Sequence, residues 1–390
     1  MTYKIIRTAT LGTSLNTFCY GILSDLKEMG YEIVAISSPD SDLDALGARE
    51  GVRTIPVKME RRFAPLKDLV SLFRLFWVFI KEKPDMVHSM TPKAGLLCMM
   101  ASWFARVPVR VHTFTGLVFP TATGMTKKVL MATDWLTCAC ATHVIPEGQG
   151  VLNDLKKNGI TKKPMKILGY GNVMGVDMRH FSRRPEVLEK SLLLRKENVF
   201  TFLFVGRIVG DKGINELVQA FLSLLRQDFS FKLRLVLVGR FESKLDPISK
   251  ESMQAIDSTP EIKAVGEQFG DDLLAWYAAS DCFVFPSYRE GFPNTVLEAG
   301  AMDLPSIVTD INGSREIIIP YEKNPDMATG LIIPSHDAQT LQSAMAWIVN
   351  HEDERKRMSS NARLSIGERF EQSFVRKCLY EFYDEVLNRK

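Results

Sequence analysis

Short apolar runs alternate along the chain with longer stretches whose apolar positions recur every three or four residues. The first pattern is that of buried strands and the second that of amphipathic helices. Tyr3–Thr10, Tyr31–Ser37 and Val52–Val57 read as strands. The loop Leu11–Asn16 opens a helix that runs to about Met29 and closes at Gly30. Strand, loop, helix, strand is a βαβ unit, and such units build parallel sheets. The alternation continues through a helix at Pro65–Lys83, a strand at Pro84–His88 that leads into a helix, and a strand at Arg110–Gly116. A helix at Thr126–Ala141, a strand at His143–Pro146, a helix at Gly148–Lys157 and a strand at Met165–Leu168 complete a first half. After the glycine-rich segment Gly169–Gly175 the pattern starts afresh. Strands are expected at Val199–Val205, Leu233–Val238, Ile262–Val265, Cys282–Pro286, Pro305–Thr309 and Gly330–Pro334. Helices are expected from Ile214 to Leu225, at Asp271–Ala279, through Ala301 and Met302, and over most of the tail to Lys390, where Phe374, Leu379, Phe382 and Val386 form a stripe. The fold class is therefore α/β, with two parallel halves joined near 170–185. Ligands in such sheets bind outside the carboxyl ends of the strands, so the two ligand edges are expected to face a common cleft.

Composition narrows this little. A chain of 390 residues with 46% hydrophobic and 24% charged residues is an ordinary globular one, long enough for two domains at ~150 residues each. The net charge of +3 conceals an asymmetry: residues 1–180 hold 23 Lys+Arg against 15 Asp+Glu, and the remainder 26 against 31. A basic first half fits an anionic partner (a phosphate, a diphosphate or a lipid surface), and it also fits solvated charge without a partner. The six cysteines show no zinc spacing and read as free thiols in a reducing compartment, with no metal expected. No signal peptide and no membrane span is evident, which points to the cytoplasm. The helix at Pro65–Lys83, led by Arg61-Arg62-Phe63, carries Leu69, Leu72, Phe73, Phe76, Trp77 and Ile80. It reads either as a buried helix or as one that meets anionic lipid at a membrane interface.

The chemistry gathers at turns. The stretch Ser287–Gly300 follows a strand, makes a Gly-Phe-Pro-Asn turn and enters a helix, with Glu290 before the turn and Glu298 two helical turns later. A helix amino terminus offers backbone N–H groups to anions. Gly206, Arg207, Gly210, Lys212 and Gly213 likewise follow a strand and precede a helix, so two cations flank a glycine-bearing turn suited to a diphosphate. Solvated loop charge is the plain alternative, and the spacing is not that of an ATP-hydrolase P-loop. In the first half, Gly12 and Thr13 follow the first strand without a GxGxxG fingerprint, so a ligand loop and a simple tight turn both fit. Asp40-Ser-Asp42 resembles an Asp-x-Asp metal motif, but the acidic run that continues it favours a helix start. Lys93, His112 and Thr115 lie at later strand ends. His112 reads as a titrating group or as an ordinary strand residue, and spacing favours the latter.

Glu290-Gly-Phe-Pro-Asn-Thr-Val-Leu-Glu298-Ala, taken with Val205-Gly-Arg207-Ile-Val-Gly-Asp-Lys212-Gly, resembles the retaining glycosyltransferases of family 4. Pro84–His88, the Gly175-Val-Asp177…Phe181 segment and Gly330–Pro334 agree with it. The resemblance implies the GT-B fold: Rossmann-like domains over 1–180 and 181–369 that face a cleft, and a terminal helix, 370–390, crossing back to the first. It also implies a nucleotide-sugar donor, UDP-linked by expectation, no cofactor, no metal and no nucleic acid. Arg207 and Lys212 would hold the donor diphosphate, Glu290 the sugar hydroxyls and Glu298 the ribose. Gly12, Thr13, Gly206, Phe292, Pro293, Asn294 and Thr295 would line the donor site, with Arg240 and Val265–Gln268 near the base. Thr91–Leu97 and His112–Gly116 are similar to a subgroup that extends capsule and O-antigen units. That likeness implies a glycan or polyprenyl-diphosphate-sugar acceptor near Lys93, His112 and Thr115, with peripheral contact at the inner membrane. Many members carry a His directly before the glycine of the first-domain turn, where this chain has Thr115. The alternatives are a sugar-nucleotide epimerase or hydrolase on the same fold, or a non-catalytic sugar- or lipid-binding subunit.

Overall fold

The computed structural model describes residues 2–61, 64–242 and 246–387. The chain forms two compact units, one of residues 1–175 with 373–390 and the other of residues 176–372. In the first unit the strands are β1 (Lys4–Thr8), β2 (Glu32–Ser37), β3 (Arg53–Pro56), β4 (Met86–Met90), β5 (Val109–Phe114) and β6 (His143–Pro146). Between them run α1 (Gly12–Phe18), α2 (Ile22–Glu28), α3 (Ser41–Glu50), α4 (Pro65–Glu82), α5 (Pro92–Phe104) and α6 (Gly124–Cys140), and α7 (Gln149–Lys157) follows β6. The second unit runs α8 (Pro185–Leu194), β7 (Val199–Val205), α9 (Ile214–Leu224), β8 (Lys232–Val238), α10 (Lys250–Ser258), β9 (Ile262–Gly266) and α11 (Gly270–Ala278). It continues with β10 (Cys282–Phe285), α12 (Asn294–Ala301), β11 (Ser306–Thr309), α13 (Ser314–Ile317), β12 (Gly330–Ile333), α14 (Ala338–Asn350) and α15 (Glu352–Phe370). The last helix, α16 (Gln372–Val386), packs in the first unit.

Both sheets are wholly parallel and share one topology. The first has the order β3-β2-β1-β4-β5-β6 and the second β9-β8-β7-β10-β11-β12. In each, strand order reverses beside the first strand of the unit, between β1 and β4 and between β7 and β10. That switch point is where loops at the carboxyl edge diverge and leave a crevice. Alternation along β1 sends Ile6 to the core that α4, α5 and α6 cover, and Ile5 to the opposite core with α1, α2, α3 and α16. Leu379, Phe382, Tyr383 and Leu387 bury α16 in that second layer. There the Tyr383 hydroxyl accepts a hydrogen bond from Arg7 Nη1 at 2.5 Å.

Several local expectations change. The single helix expected to end near Met29 is two helices, α1 and α2. Gly21 breaks it with φ 70°, and the Glu50 carboxylate then accepts from the N–H groups of Gly21 and Ser24 to cap α2. The strand expected at Met165–Leu168 is one isolated bridge, Val144 to Met165. Helices α8 and α10 are not expected from the apolar pattern, because each is short and its apolar and polar positions are mixed. The Asp40 side chain accepts from Leu43 N at 2.9 Å, so Asp40-Ser-Asp42 starts a helix, α3. Arg62 and Phe63, before α4, and residues 388–390 lie outside the described residues.

Candidate functional site

The loops after β7 and β10 meet at the switch point of the second sheet. Val205 ends β7; Gly206 and Arg207 follow, and a single 3-10 turn, Gly210–Lys212, leads into α9. Backbone contacts hold this loop in place. Tyr288 N donates to Asp211 O at 2.8 Å, which ties it to the segment after β10, and Gly210 N donates to Asp246 O at 3.0 Å. Gly213 makes the turn into α9 at φ 70°, and a methyl there would lie 2.1 Å from the Pro286 carbonyl oxygen. Only glycine fits such a left-handed, crowded position. Gly213→Ala is therefore expected to destabilise the fold by about 2–4 kcal/mol, read as a lower urea midpoint with an unchanged slope.

Lys212 is the centre of the site. Its ammonium pairs with Glu290 Oε1, and both side chains are largely shielded, at 15% and 16% exposure. Ser287 Oγ donates to the same carboxylate oxygen at 2.8 Å, and the Phe285 ring lies 5.2 Å from Lys212 Nζ. Glu290 is thus fixed from two sides, and Lys212 is held by charge and ring together. Arg207 does not join this pair: its Nη1 bonds Glu242 Oε2 at 2.5 Å, and it is half exposed. Arg240 is exposed, and its carbonyl accepts from Ile208 N.

After Glu290 the chain turns through Gly291, Phe292 and Pro293 into α12. Phe292 and Pro293 are buried, and Phe292 packs on Phe370 at 5.4 Å. This turn therefore presents backbone rather than side chain. Pro293 stands at the N-cap of α12, and its ring has no oxygen with which to cap the first-turn N–H groups. Asn294 and Thr295 begin the helix and are partly exposed. About one turn along, Glu298 Oε2 accepts from the Tyr277 hydroxyl at 3.0 Å. Its surface is partly open, but protein packs closely around the carboxyl. Burial raises that group to about 7 against the pull of the Tyr277 hydrogen bond.

In the first unit the candidate residues also gather near a switch point: Gly12 and Thr13 open α1 after β1, Lys93 opens α5 after β4, His112 lies within the neighbouring β5, and Thr115 follows it. Gly12 N donates to Asp40 Oδ2 at 2.9 Å, and the Thr13 hydroxyl donates to Asp42. Thr91, at φ 67°, bonds Thr10 through both hydroxyls at 2.9 Å. Lys93, at the start of α5, pairs with Asp68 of α4. Thr115 follows β5 and is partly exposed. His112 lies inside, 1% exposed, with Nδ1 bonded to Ser89 Oγ at 2.8 Å. A methyl on Gly95 would fall 2.3 Å from its ring, so α5 covers it closely. Burial pushes the imidazole down to about 3, partly offset by Ser89, so it is neutral at neutral pH.

The structure thus brings Lys212 and Glu290 together, sets Glu298 behind them on α12, and leaves Arg207 and Arg240 nearer solvent. It adds partners that sequence reading did not single out: Ser287 on Glu290, Tyr277 on Glu298, and a Tyr288–His336 stack at 3.6 Å whose Tyr288 hydroxyl donates to Glu216. Ser287 lay within the motif and could have been chosen. Tyr277 and His336 carry no signal in sequence, because only the fold brings them to the site.

The second half, residues 188–365, matches the family model described as glycosyl transferases group 1, and residues 15–171 match that of the glycosyl transferase 4-like domain. The chain belongs to the GT-B glycosyltransferases. A relative from Staphylococcus aureus, the capsular polysaccharide biosynthesis glycosyltransferase CapM, is 28% identical over 98% of this chain and 97% of its own. An Escherichia coli relative, a UDP-Gal:alpha-D-GlcNAc-diphosphoundecaprenol alpha-1,3-galactosyltransferase, is 31% identical over 66% of each chain. The crystal structure of Anabaena HepE in complex with UDP matches with a TM-score of 0.79 at 17% identity, over 99% of this chain and all of that one. This GT-B glycosyltransferase is thus related to enzymes of capsule synthesis and to transferases that act on undecaprenyl-diphosphate sugars. Among the described residues no helix is long and apolar enough to cross a membrane.

Proposed function

We propose that this glycosyltransferase moves a hexosyl or N-acetylhexosaminyl group, with retention, from a UDP-sugar to a polyprenyl-diphosphate-linked sugar during capsule or O-antigen synthesis. The observation that carries the reading is the Lys212–Glu290 pair, fixed by Ser287 beside the side-chain-uncapped start of α12. As the anomeric C–O bond breaks, negative charge grows on the departing diphosphate. Lys212 and the start of α12 are held in position to meet that charge, and Arg207 joins them by leaving Glu242. Glu290, tethered by Lys212 and Ser287, is placed to accept from the sugar's hydroxyls rather than to attack carbon. Glu298 accepts from the ribose, and Arg240 lies on the base side. The acceptor hydroxyl enters from the face that the diphosphate leaves. Lys93 and Thr115 are the acceptor-side candidates; buried His112 supports β5 from within.

The names of the relatives support the donor and acceptor classes: one acts on a diphosphoundecaprenol sugar with UDP-Gal, and a structural neighbour binds UDP. The two cations supply the charge that a metal would otherwise provide, so chelation with EDTA is expected to leave the rate unchanged. A lipid-linked acceptor also places the enzyme against the cytoplasmic face of the membrane. The test is a panel of nucleotide-sugars with lipid-diphosphate acceptors, read by mass spectrometry, with the new anomer assigned by NMR. One UDP-sugar is expected to give an acceptor heavier by one sugar, in the donor's own anomeric configuration. Rapid consumption of the nucleotide-sugar with no acceptor product would instead identify an epimerase or hydrolase.

A further inference from the structure

Helix α4 has two apolar faces, and the fold uses one of them. Ser71, Leu75 and Phe79 are buried, and Leu75 and Phe79 join the core of the first unit. The acids of the helix are drawn inward as well: Asp68 pairs with Lys93, and Glu82 with Lys4 and Arg53. The other face carries Leu66, Leu69, Val70, Phe73, Trp77 and Ile80, all exposed, from 83% for Leu66 to 39% for Ile80. At about 100° per residue these six fall within an arc of roughly 100°. Lys67, Arg74 and Lys81 recur every seventh residue and form an exposed flank along the same stripe. Lys67 pairs with Glu60, while Arg74 and Lys81 have no ion-pair partner among the described residues.

Isolated apolar residues on a surface are normal, but a continuous stripe over four turns is an interaction site. Its flank is cationic and its own acids are taken up elsewhere, so its complement is an apolar layer with an anionic face. A second copy of the same stripe, meeting it across a two-fold axis, would bring like charges together. The ring pairs Phe73–Trp77 and Phe76–Trp77, edge to face at 6.0 and 5.7 Å, give the stripe the amphipathic aromatic character of groups that settle at a headgroup boundary. The amino end of the stripe lies beside the acceptor-side loop, because Asp68 of α4 holds Lys93 at the start of α5.

We propose that the Leu66–Ile80 stripe of α4, with Lys67, Arg74 and Lys81, docks the enzyme on an anionic phospholipid surface. The purpose of this docking rests on the lipid-linked acceptor reading; its measurement does not. The full chain is mixed with vesicles of phosphatidylglycerol and phosphatidylcholine, or of phosphatidylcholine alone, and floated on a density gradient. The enzyme is expected to float with the anionic vesicles, less so at high salt. Phe73→Ser with Trp77→Ser is expected to weaken partition at least about tenfold, and Lys67→Glu with Arg74→Glu and Lys81→Glu to abolish it. Both variants should keep the wild-type circular dichroism melt and wild-type transfer to a short-chain, water-soluble acceptor. A wild-type chain that stays at the bottom of the gradient overturns the proposal, as does partition that neither variant alters. So does a serine variant that floats normally but halves the mass seen by light scattering, since the stripe is then a subunit interface. Failure of wild-type transfer to any soluble or lipid acceptor would sink the functional reading while leaving vesicle binding to be judged alone.

Discussion

Lys212→Ala is expected to lower kcat by about 10²–10³-fold, the usual cost of removing one preorganised group that meets transition-state charge. The loss should fall mainly on kcat, because the charge that Lys212 would meet grows as the sugar departs. Two effects add here. The departing diphosphate loses a cation that Glu290 and the Phe285 ring hold in position. Glu290 also loses its partner and keeps only the Ser287 hydroxyl, so its own placement loosens. Arg207→Ala should cost less, because Arg207 is half exposed and already engages Glu242. Steady-state rates at saturating donor check both, with thermal melts to confirm folding. Wild-type kcat in the two variants would remove the diphosphate assignment.

The second large effect belongs to Glu298. Glu298→Gln is expected to weaken nucleotide binding by about 10–100-fold, the value of hydrogen bonds made by a charged acceptor. Calorimetry with UDP measures it directly. The pH dependence follows from burial, which raises this carboxyl from 4.5 to about 7. If the carboxylate is the form that accepts from the ribose, nucleotide affinity falls as pH drops through about 7, and the glutamine variant shows no such slope. Stability runs the other way. The folded state holds the proton more tightly than the unfolded one, so stability is full below about 4.5 and is lost as pH rises to about 7. Above that pH the glutamine variant should be the more stable protein, by about 1–3 kcal/mol. Weaker binding together with higher stability is the signature of a carboxylate kept for function.

The alternation of elements was readable because a strand repeats every two residues and a helix every 3.6, and both periods show in a single chain. Glu290 and Glu298 were readable as a pair because the turn and helix that separate them are local. The lone helix expected from Asn16 to Met29 was misread because its apolar pattern runs through Gly21. The break there is enforced by Glu50, a residue from α3. Helix α4 is the instructive case. Its apolar residues were plain in sequence, but periodicity cannot say which of two apolar faces the core takes. Packing against α5 buries Leu75 and Phe79 and leaves Phe73 and Trp77 outside.

By itself, the sequence determined two parallel α/β units with their chemistry at strand ends, and it singled out Arg207 and Lys212 together with Glu290 and Glu298. Those features depend on spacing within a segment, and spacing is local. The tertiary structure decided which groups touch. It placed β7 beside β10 and so joined Lys212 to Glu290 across 78 residues. It set Tyr277 on Glu298, closed α5 over His112 and returned α16 to the first unit. Such contacts depend on strand order and on which faces pack, and neither is written into the period of any one element.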